Sequence, residues 1–203
     1  MEILDQLGVA LGFATLAGIN LYLTTFVAGL AIRFDWLALA SKHEQLEVLG
    51  DPWIIGTAGL LFFVEFFADK IPWVDSTWDV LHTAIRPIGG ILLALAALGQ
   101  LDPTVSVVAG LLAGGTSLTT HLAKAGGRLF VNMSPEPVSN TVASVAEDGL
   151  VLGGLSMMAL APAVSFFVFF LAVILAGWVV WKTFGLIKKA WQKFRRKGEP
   201  IQA

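Results

Sequence analysis

The chain has 203 residues and a formal net charge of −2, and 56% of the residues are hydrophobic while only 14% are charged. Soluble globular proteins carry roughly 25% charged residues, so this composition excludes an ordinary soluble domain and indicates a membrane protein with several spans. The absence of cysteine excludes disulfides and thiolate metal sites. Much of the positive charge is confined to the last part of the chain, which argues against nucleic acid as a partner.

Hydropathy and helix breakers predict six transmembrane helices, because a bilayer core of about 30 Å requires roughly 20 apolar residues per helix. The predicted spans cover residues 8–32, 53–70, 82–100, 104–126, 138–160 and 163–186. Prolines stand where several of these spans begin, as the fixed φ and missing N–H of proline favour. The predicted fold is an all-α membrane protein with one transmembrane domain, residues 1–186, and a basic tail, residues 187–203.

Span four repeats the pattern of span one. A shift of 95 positions pairs L-T-T at residues 23–25 with L-T-T at residues 118–120, and Arg33 with Arg128. Three spans per copy is an odd number, so the second copy would enter the membrane inverted. The sequence therefore predicts a 3+3 inverted repeat, with repeat 1 at about 8–100 and repeat 2 at 104–186. The alternative is that two apolar helices resemble each other only in composition.

Spans two and five carry acidic residues, and charged groups inside a bilayer cost about 2.5–3.5 kcal/mol each on insertion scales. Glu65 and Asp69 are spaced i, i+4 in span two. Glu147 and Asp148 lie about ten residues into span five, near the membrane midplane. Asn140 and Ser144 precede Glu147 by seven and three residues and share its helical face.

Spans three and four carry basic residues and histidines on single faces, among them Arg86, His121, Lys124 and Arg128. One interpretation is a cation or proton site formed by the acids, with oxygen donors from Asn20, Thr24, Asn140 and Ser144 and a proton relay at His121. If a metal binds, its ligands would be Glu147, Asp148 and Glu65. A second interpretation is an anion site formed by Arg86, Lys124 and Arg128. A third is that acids and bases form structural ion pairs.

These patterns predict a small secondary transporter or channel that moves a cation or small cationic solute, with proton coupling through the intramembrane carboxylates. Three alternatives remain: a translocase for anions or lipid phosphates, a membrane scaffold, and a membrane hydrolase acting on lipid phosphates. No nucleophile elbow, P-loop or H-E-x-x-H motif occurs, so we expect no enzyme activity and no cofactor.

The C-terminal segment is basic and amphipathic. One helical face would carry five apolar residues, namely Trp181, Phe184, Ile187, Trp191 and Phe194. We expect residues 187–197 to lie on the anionic inner leaflet of the membrane, with a partner protein as the alternative. The basic tail predicts a cytoplasmic C-terminus, and six spans then place the N-terminus on the same side. A chain with only six spans also favours a homodimer.

Three segments resemble a known bacterial membrane family, the domain of unknown function 4126: A-G-I-N-L-Y-L-T-T, V-E-F-F-A-D-K-I-P-W-V-D and V-A-S-V-A-E-D-G. The resemblance covers nearly the whole chain except the tail, and it implies that the segments around Glu65 and Glu147 are signatures. The chain is more loosely similar to the lysine-exporter-like superfamily, which is built from inverted three-span repeats. Some of its manganese and calcium exporters carry E-x-G-D-K/R, where residues 65–70 here read E-F-F-A-D-K.

Overall fold

A computed structural model describes residues 3–36, 44–131 and 137–197, which form helices and contain no strand. The elements in chain order are α1 (Ile3–Arg33), a 3₁₀ helix (Glu44–Gly50), α2 (Pro52–Ala68), α3 (Pro72–Leu98), α4 (Pro103–Val131), α5 (Pro137–Leu160) and α6 (Pro162–Lys197). The predicted all-α class is confirmed. Five helices, α1 and α3 to α6, are long and apolar enough to cross a membrane, while α2 is shorter at 17 residues.

Each of the helices α2 to α6 begins at a proline. This confirms the starts predicted for α2, α4, α5 and α6, where proline needs no hydrogen-bond partner in the first turn. The structure differs at α3, which begins at Pro72, ten residues before the predicted span at 82. The extra turns carry Asp75 and Asp79, and both side chains are buried against the protein. A hydropathy scan assigns such residues to a loop because it treats every charge as exposed.

α1 is divided at Asn20, whose φ of −151° and ψ of 97° are not helical. We call residues 3–19 the first arm and residues 21–33 the second arm. Asn20 caps the second arm, because its Oδ1 accepts a hydrogen bond from the Leu23 backbone N–H at 3.0 Å. The last carbonyls of the first arm also need donors, and Gly18 O accepts a hydrogen bond from Arg86 Nη1 at 3.1 Å. Buried side chains therefore satisfy the backbone on both sides of the break.

The beginning of the first arm and the end of the second arm each lie beside the start of another helix. In the first arm, Gly8 packs so closely on the start of α6 that an added Cβ would lie 2.0 Å from Pro162 O. At the end of the second arm, Arg33 Nη1 donates to Gly50 O, just before α2, at 3.2 Å. Between the arms, Asn20 Nδ2 donates to Asp148 Oδ1, in the middle of α5, at 3.2 Å.

The end of α2 and the second half of α6 both lie beside the end of α4. The starts of α2 and α6 therefore lie together at the other end of the bundle. Directly after α2, Asp69 O accepts a hydrogen bond from Arg128 Nη1 at 3.3 Å. In the second half of α6, Thr183 packs against Gly126. We call the end with the starts of α2, α4 and α6 the hairpin end, and the other end the tail end. α1 therefore enters and leaves at the hairpin end, as a re-entrant helical hairpin whose tip is Asn20.

This geometry changes the predicted topology. The predicted span at 8–32 turns back halfway, whereas α4 has no such break among its described residues. Arg33 is exposed at the hairpin end, but its predicted counterpart Arg128 is 2% exposed in the centre of the protein. The structure therefore does not confirm the 3+3 inverted repeat. It also places the first and last described residues at opposite ends of the bundle, unlike the prediction that both termini share one side.

α6 continues without a break from Pro162 to Lys197, so the structure has no separate tail helix at residue 187. Its 36 residues correspond to about 54 Å at 1.5 Å per residue, longer than a bilayer core of about 30 Å. Its final turns therefore extend beyond the hydrocarbon at the tail end. Trp181, Phe184, Ile187 and Trp191 are exposed as expected. The side chain of Phe194 and residues 198–203 lie outside the described part of the chain.

We expect Gly18→Ala to destabilise the protein, because α1 and α4 touch at this glycine. An added Cβ would lie 1.8 Å from Thr120 Oγ1 and 2.4 Å from the backbone O of Ser117. Overpacking of this kind costs typically 1–3 kcal/mol, and a backbone obstacle raises the cost. Gly115→Ala is the matched control on an exposed face of α4, where an added Cβ meets no atom within 4 Å. Thermal unfolding in detergent should show a loss for Gly18→Ala only; equal unfolding temperatures would contradict the close contact.

Candidate ion-binding site

A network of buried charged side chains joins α2, α3, α4 and α5 beside the tip of α1. Its members are Glu65, Asp69, Asp79, Arg86, Lys124, Arg128 and Glu147. All of these except Asp79 belong to the sequence-predicted acidic and basic sets, and the structure brings both sets into one network. Burying single charges in this region would be costly, so their mutual pairing explains how the fold tolerates them.

Arg128 holds the tail-end side of the network. Its Nε and Nη2 donate to Glu147 Oε1 and Oε2 at 2.9 and 2.8 Å, a bidentate pair. Its Nη1 donates to Asn140 Oδ1 at 2.6 Å and to Asn140 O at 3.1 Å, in addition to Asp69 O. The guanidinium therefore has partners on α5 and after α2, and it fixes the position of the Glu147 carboxylate.

Arg86 holds the side of the network nearest the tip of α1. Its Nη2 donates to Glu65 Oε1, and its Nη1 donates to Gly18 O. Ser117 Oγ donates to Arg86 O at 2.9 Å and ties α4 to α3 at this level. The side chain of Arg86 is fully buried. Arg86 therefore joins Glu65 of α2 to the break in α1.

His121 serves Arg86 as a neutral hydrogen-bond acceptor. Its Nδ1 lies 3.0 Å from Arg86 Nη1, which can only donate, so Nδ1 must be unprotonated. Its Nε2 lies 3.0 Å from Asp79 O and 3.1 Å from Thr83 Oγ1, which requires the proton on Nε2. A second proton on the ring would face the guanidinium. These contacts suit a structural role for His121, and the proton relay predicted for this residue stays a prediction.

Lys124 Nζ lies among three carboxylates. It is 3.3 Å from Glu147 Oε2, 3.6 Å from Asp69 Oδ2 and 3.9 Å from Glu65 Oε1, and its side chain is 3% exposed. In spite of these contacts the ammonium donates no well-formed hydrogen bond to any described residue. Carboxylates from α2 and α5 and from the turn after α2 thus converge on one positively charged point.

Glu147 and Asp148, predicted as a pair, face different partners. Glu147 points to Arg128 and Lys124, while Asp148 Oδ1 accepts from Asn20. Successive helical residues are rotated by about 100°, so neighbours in sequence do not share a face. The Thr24 hydroxyl is also held at the break, because its Oγ1 donates to Asn20 O at 2.6 Å. Asn20, Thr24 and Asp148 therefore form the hairpin tip and lie outside the carboxylate cluster.

Several buried polar atoms around the network have no hydrogen-bond partner among the described residues. They are Glu65 Oε2, Asp69 Oδ1, Asn140 Nδ2 and Ser144 Oγ. Asp69 lies in the turn after α2, and burial raises the pKa of its carboxyl from 3.8 to about 6, although Lys124 acts in the opposite direction. Unsatisfied buried oxygens are uncommon in native proteins, so they mark positions where a ligand or water would be stabilised.

No group of three histidine or acidic side chains in the described ranges has the geometry to hold a metal ion, so the conditional ligand set of Glu65, Glu147 and Asp148 is not assembled. A cavity of about 190 Å³ lies between α3, α4 and α6, and its lining includes Asp79, Thr83 and Arg128. This cavity reaches the network from the tail-end half of the bundle.

Sequence reasoning missed the backbone part of the site. Gly18 O and Asp79 O accept hydrogen bonds from Arg86 and His121, and Thr83 completes the surroundings of His121. A signal for Gly18 exists in the sequence, since a glycine two residues before an asparagine inside an apolar helix is compatible with a break. Nothing in the sequence indicates which basic residue meets which carbonyl.

Fold and site together define a helical membrane-type protein with a buried charge network. The chain matches the family described as "Domain of unknown function (DUF4126)" over residues 7–182, and it belongs to that family. This confirms the resemblance noted from the three sequence segments. No curated protein and no solved structure matches the chain.

Proposed function

We propose that this protein is a secondary transporter for a small monovalent cation, coupled to protons, in the bacterial inner membrane. The observation that carries the proposal is the convergence of Glu65, Asp69 and Glu147 on a single positive charge, Lys124 Nζ, at 3.3–3.9 Å. A buried position surrounded by three carboxylates stabilises a cation of charge +1. The unpartnered Glu65 Oε2 and Asp69 Oδ1 supply further oxygen ligands.

The contacts of the basic residues favour a cation over an anion or a lipid phosphate. Arg86 and Arg128 already bind carboxylates and backbone carbonyls, and both are buried. An anion would have to displace Glu65 or Glu147 from these arginines. Removing one partner of a buried ion pair costs about 3–5 kcal/mol, so the arginines are poor sites for an incoming anion.

The re-entrant hairpin supports transport. Discontinuous helices that end near the membrane midplane are a recurring feature of transporter binding sites, since their free backbone groups and side chains meet the substrate there. The tip of α1 contacts α3 through Arg86 and α5 through Asp148. A change in the charge network would therefore be transmitted to the hairpin.

Proton coupling is supported by Asp69. A carboxyl with a pKa of about 6 exchanges its proton near physiological pH, and this carboxyl lies 3.6 Å from Lys124 Nζ.

The basic last turns of α6 orient the tail end toward the cytoplasm, because lysine and arginine accumulate on that side. The hairpin end then faces the opposite side of the membrane.

Glu147→Gln is expected to abolish transport. Proteoliposomes containing the protein and a trapped pH-sensitive dye would be diluted into NaCl, KCl or choline chloride, and the internal pH followed. We expect a pH change driven by Na⁺ or K⁺ for the wild type and none for Glu147→Gln, because the variant removes one of the three carboxylates. The matched control is Glu47→Gln, which changes an exposed glutamate in the 3₁₀ helix. Undiminished flux in Glu147→Gln, or equal flux in all three chloride salts, would contradict the proposal.

A further inference from the structure

We propose that Lys124 is a tethered cation which occupies the carboxylate site when the site is empty and which the substrate displaces. This inference rests on the proposed function and adds how the site is regulated and which substrates it accepts. The ammonium acts as an internal competitor, so the three carboxylates around it keep a neighbouring positive charge in the absence of substrate.

The contacts of Lys124 differ from those of the neighbouring arginines. Arg128 donates hydrogen bonds to Glu147, Asn140 and Asp69, whereas Lys124 Nζ has three carboxylates nearby and forms no hydrogen bond of good geometry with the described residues. Lysine carries a compact charge on a flexible four-carbon stem, and arginine a rigid fork. The arginines are therefore fixed parts of the network, and the ammonium is held mainly by the charge of the surrounding carboxylates.

The carboxylates would not collapse if the ammonium moved away. Glu65 remains bound to Arg86, and Glu147 remains bound to Arg128 at 2.8 and 2.9 Å. Asp69 keeps Arg128 Nη2 at 3.6 Å. The site therefore retains its shape but has lost one positive charge, which an incoming monovalent cation would replace.

Charge balance selects the class of substrate. Replacing one ammonium by one monovalent cation leaves the net charge of the buried network unchanged, whereas a divalent ion would change it by one unit. A one-for-one exchange therefore matches Na⁺, K⁺ or a proton.

The test compares the stability of purified full-length variants in detergent at constant ionic strength. Lys124→Met removes the tethered charge, and its unfolding temperature would be followed against increasing NaCl or KCl, with choline chloride as the balancing salt. We expect a saturable rise for Lys124→Met, with a half-saturating concentration at least tenfold lower than for the wild type. The stabilisation follows from binding to the folded state alone.

Two variants serve as controls. Lys124→Arg keeps the positive charge on a more rigid group, so it should need at least as much salt as the wild type. Lys124→Met combined with Glu147→Gln restores the charge balance but removes a carboxylate, so it should lose the response to Na⁺ and K⁺. A Lys124→Met protein whose stability is the same in all three salts would overturn the inference.

If Lys124→Met does not fold in choline chloride, the yield of monodisperse protein in each salt becomes the measurement. Recovery in Na⁺ or K⁺ supports displacement, and failure in every salt overturns it, since no free cation then replaces the ammonium. The liposome flux assay separates the two proposals. If the wild type shows flux but Lys124→Met shows no salt response, the transport proposal stands and the tethered-cation inference is wrong. If Lys124→Met shows a salt response but the wild type shows no flux, the binding site stands and the transport proposal is wrong.

Discussion

Single cysteines at positions 3 and 34 are expected to react with a membrane-impermeant maleimide from the same side of the membrane, and a cysteine at position 189 only from the other. Ile3→Cys and Phe34→Cys lie at the two ends of α1, and Lys189→Cys lies in the last part of α6; all three positions are exposed. The natural chain has no cysteine, so the background is zero. Positions 3 and 34 should be labelled from the same side because the break at Asn20 returns the second arm of α1 to the hairpin end.

The labelling is measured in sealed vesicles of defined orientation, before and after permeabilisation. Permeabilised vesicles provide the control, because all three cysteines should then react. If Ile3→Cys and Phe34→Cys react from opposite sides, α1 crosses the membrane and the hairpin is wrong. If positions 3 and 189 react from the same side, the chain crosses the membrane an even number of times, as the six-span prediction requires.

Arg128→Met is expected to lower the unfolding free energy by about 3–5 kcal/mol, as removal of one partner of a buried ion pair does. Among the described residues, the change leaves the Glu147 carboxylate with Lys124 as its one ion-pair partner, and it removes the donors to Asn140 and Asp69. Arg33→Met is the matched control, because the sequence repeat pairs these two arginines while Arg33 is exposed with one hydrogen bond to Gly50 O. A surface change of this kind usually stays within about 0.5 kcal/mol.

Thermal unfolding in detergent measures both variants side by side. Arg128→Met combined with Glu147→Met should recover part of the loss, since the uncompensated carboxylate is gone and two apolar side chains fill the space. An Arg128→Met protein as stable as Arg33→Met would show that the network contributes little, and would weaken the argument that Arg128 fixes the carboxylate site.

The helices were predictable because apolar length and proline positions act locally. Four of the five proline starts are identified in this way, and the predicted bound at residue 82 falls inside α3 because hydropathy cannot show that Asp75 and Asp79 are buried. The break in α1 was not predicted. Asparagine is tolerated in many apolar helices, and the φ of −151° at Asn20 is stabilised by Arg86 and Asp148, which are distant in sequence.

The charged stripes of the site were also predictable, because helical spacing places Ser144 and Glu147 on one face and Lys124 and Arg128 on another. Their pairing was not. Glu147 and Asp148 were treated as one site, yet one meets α4 and the other meets the tip of α1. The distance between two helices and their rotation about their axes decide such contacts, and neither quantity is encoded in local spacing.

The sequence by itself determined that this is an all-α membrane protein and which residues are too polar to face lipid, and the resemblance of three segments identified the family. Composition and periodicity suffice for the first two conclusions, because burial of apolar surface and the cost of charge in a bilayer depend on residue type. Only the tertiary structure decided that α1 turns back, that Arg33 and Arg128 have opposite environments, and that three carboxylates surround Lys124. These features depend on contacts between residues as far apart as Asn20 and Asp148, whose energies exist only after the helices have packed.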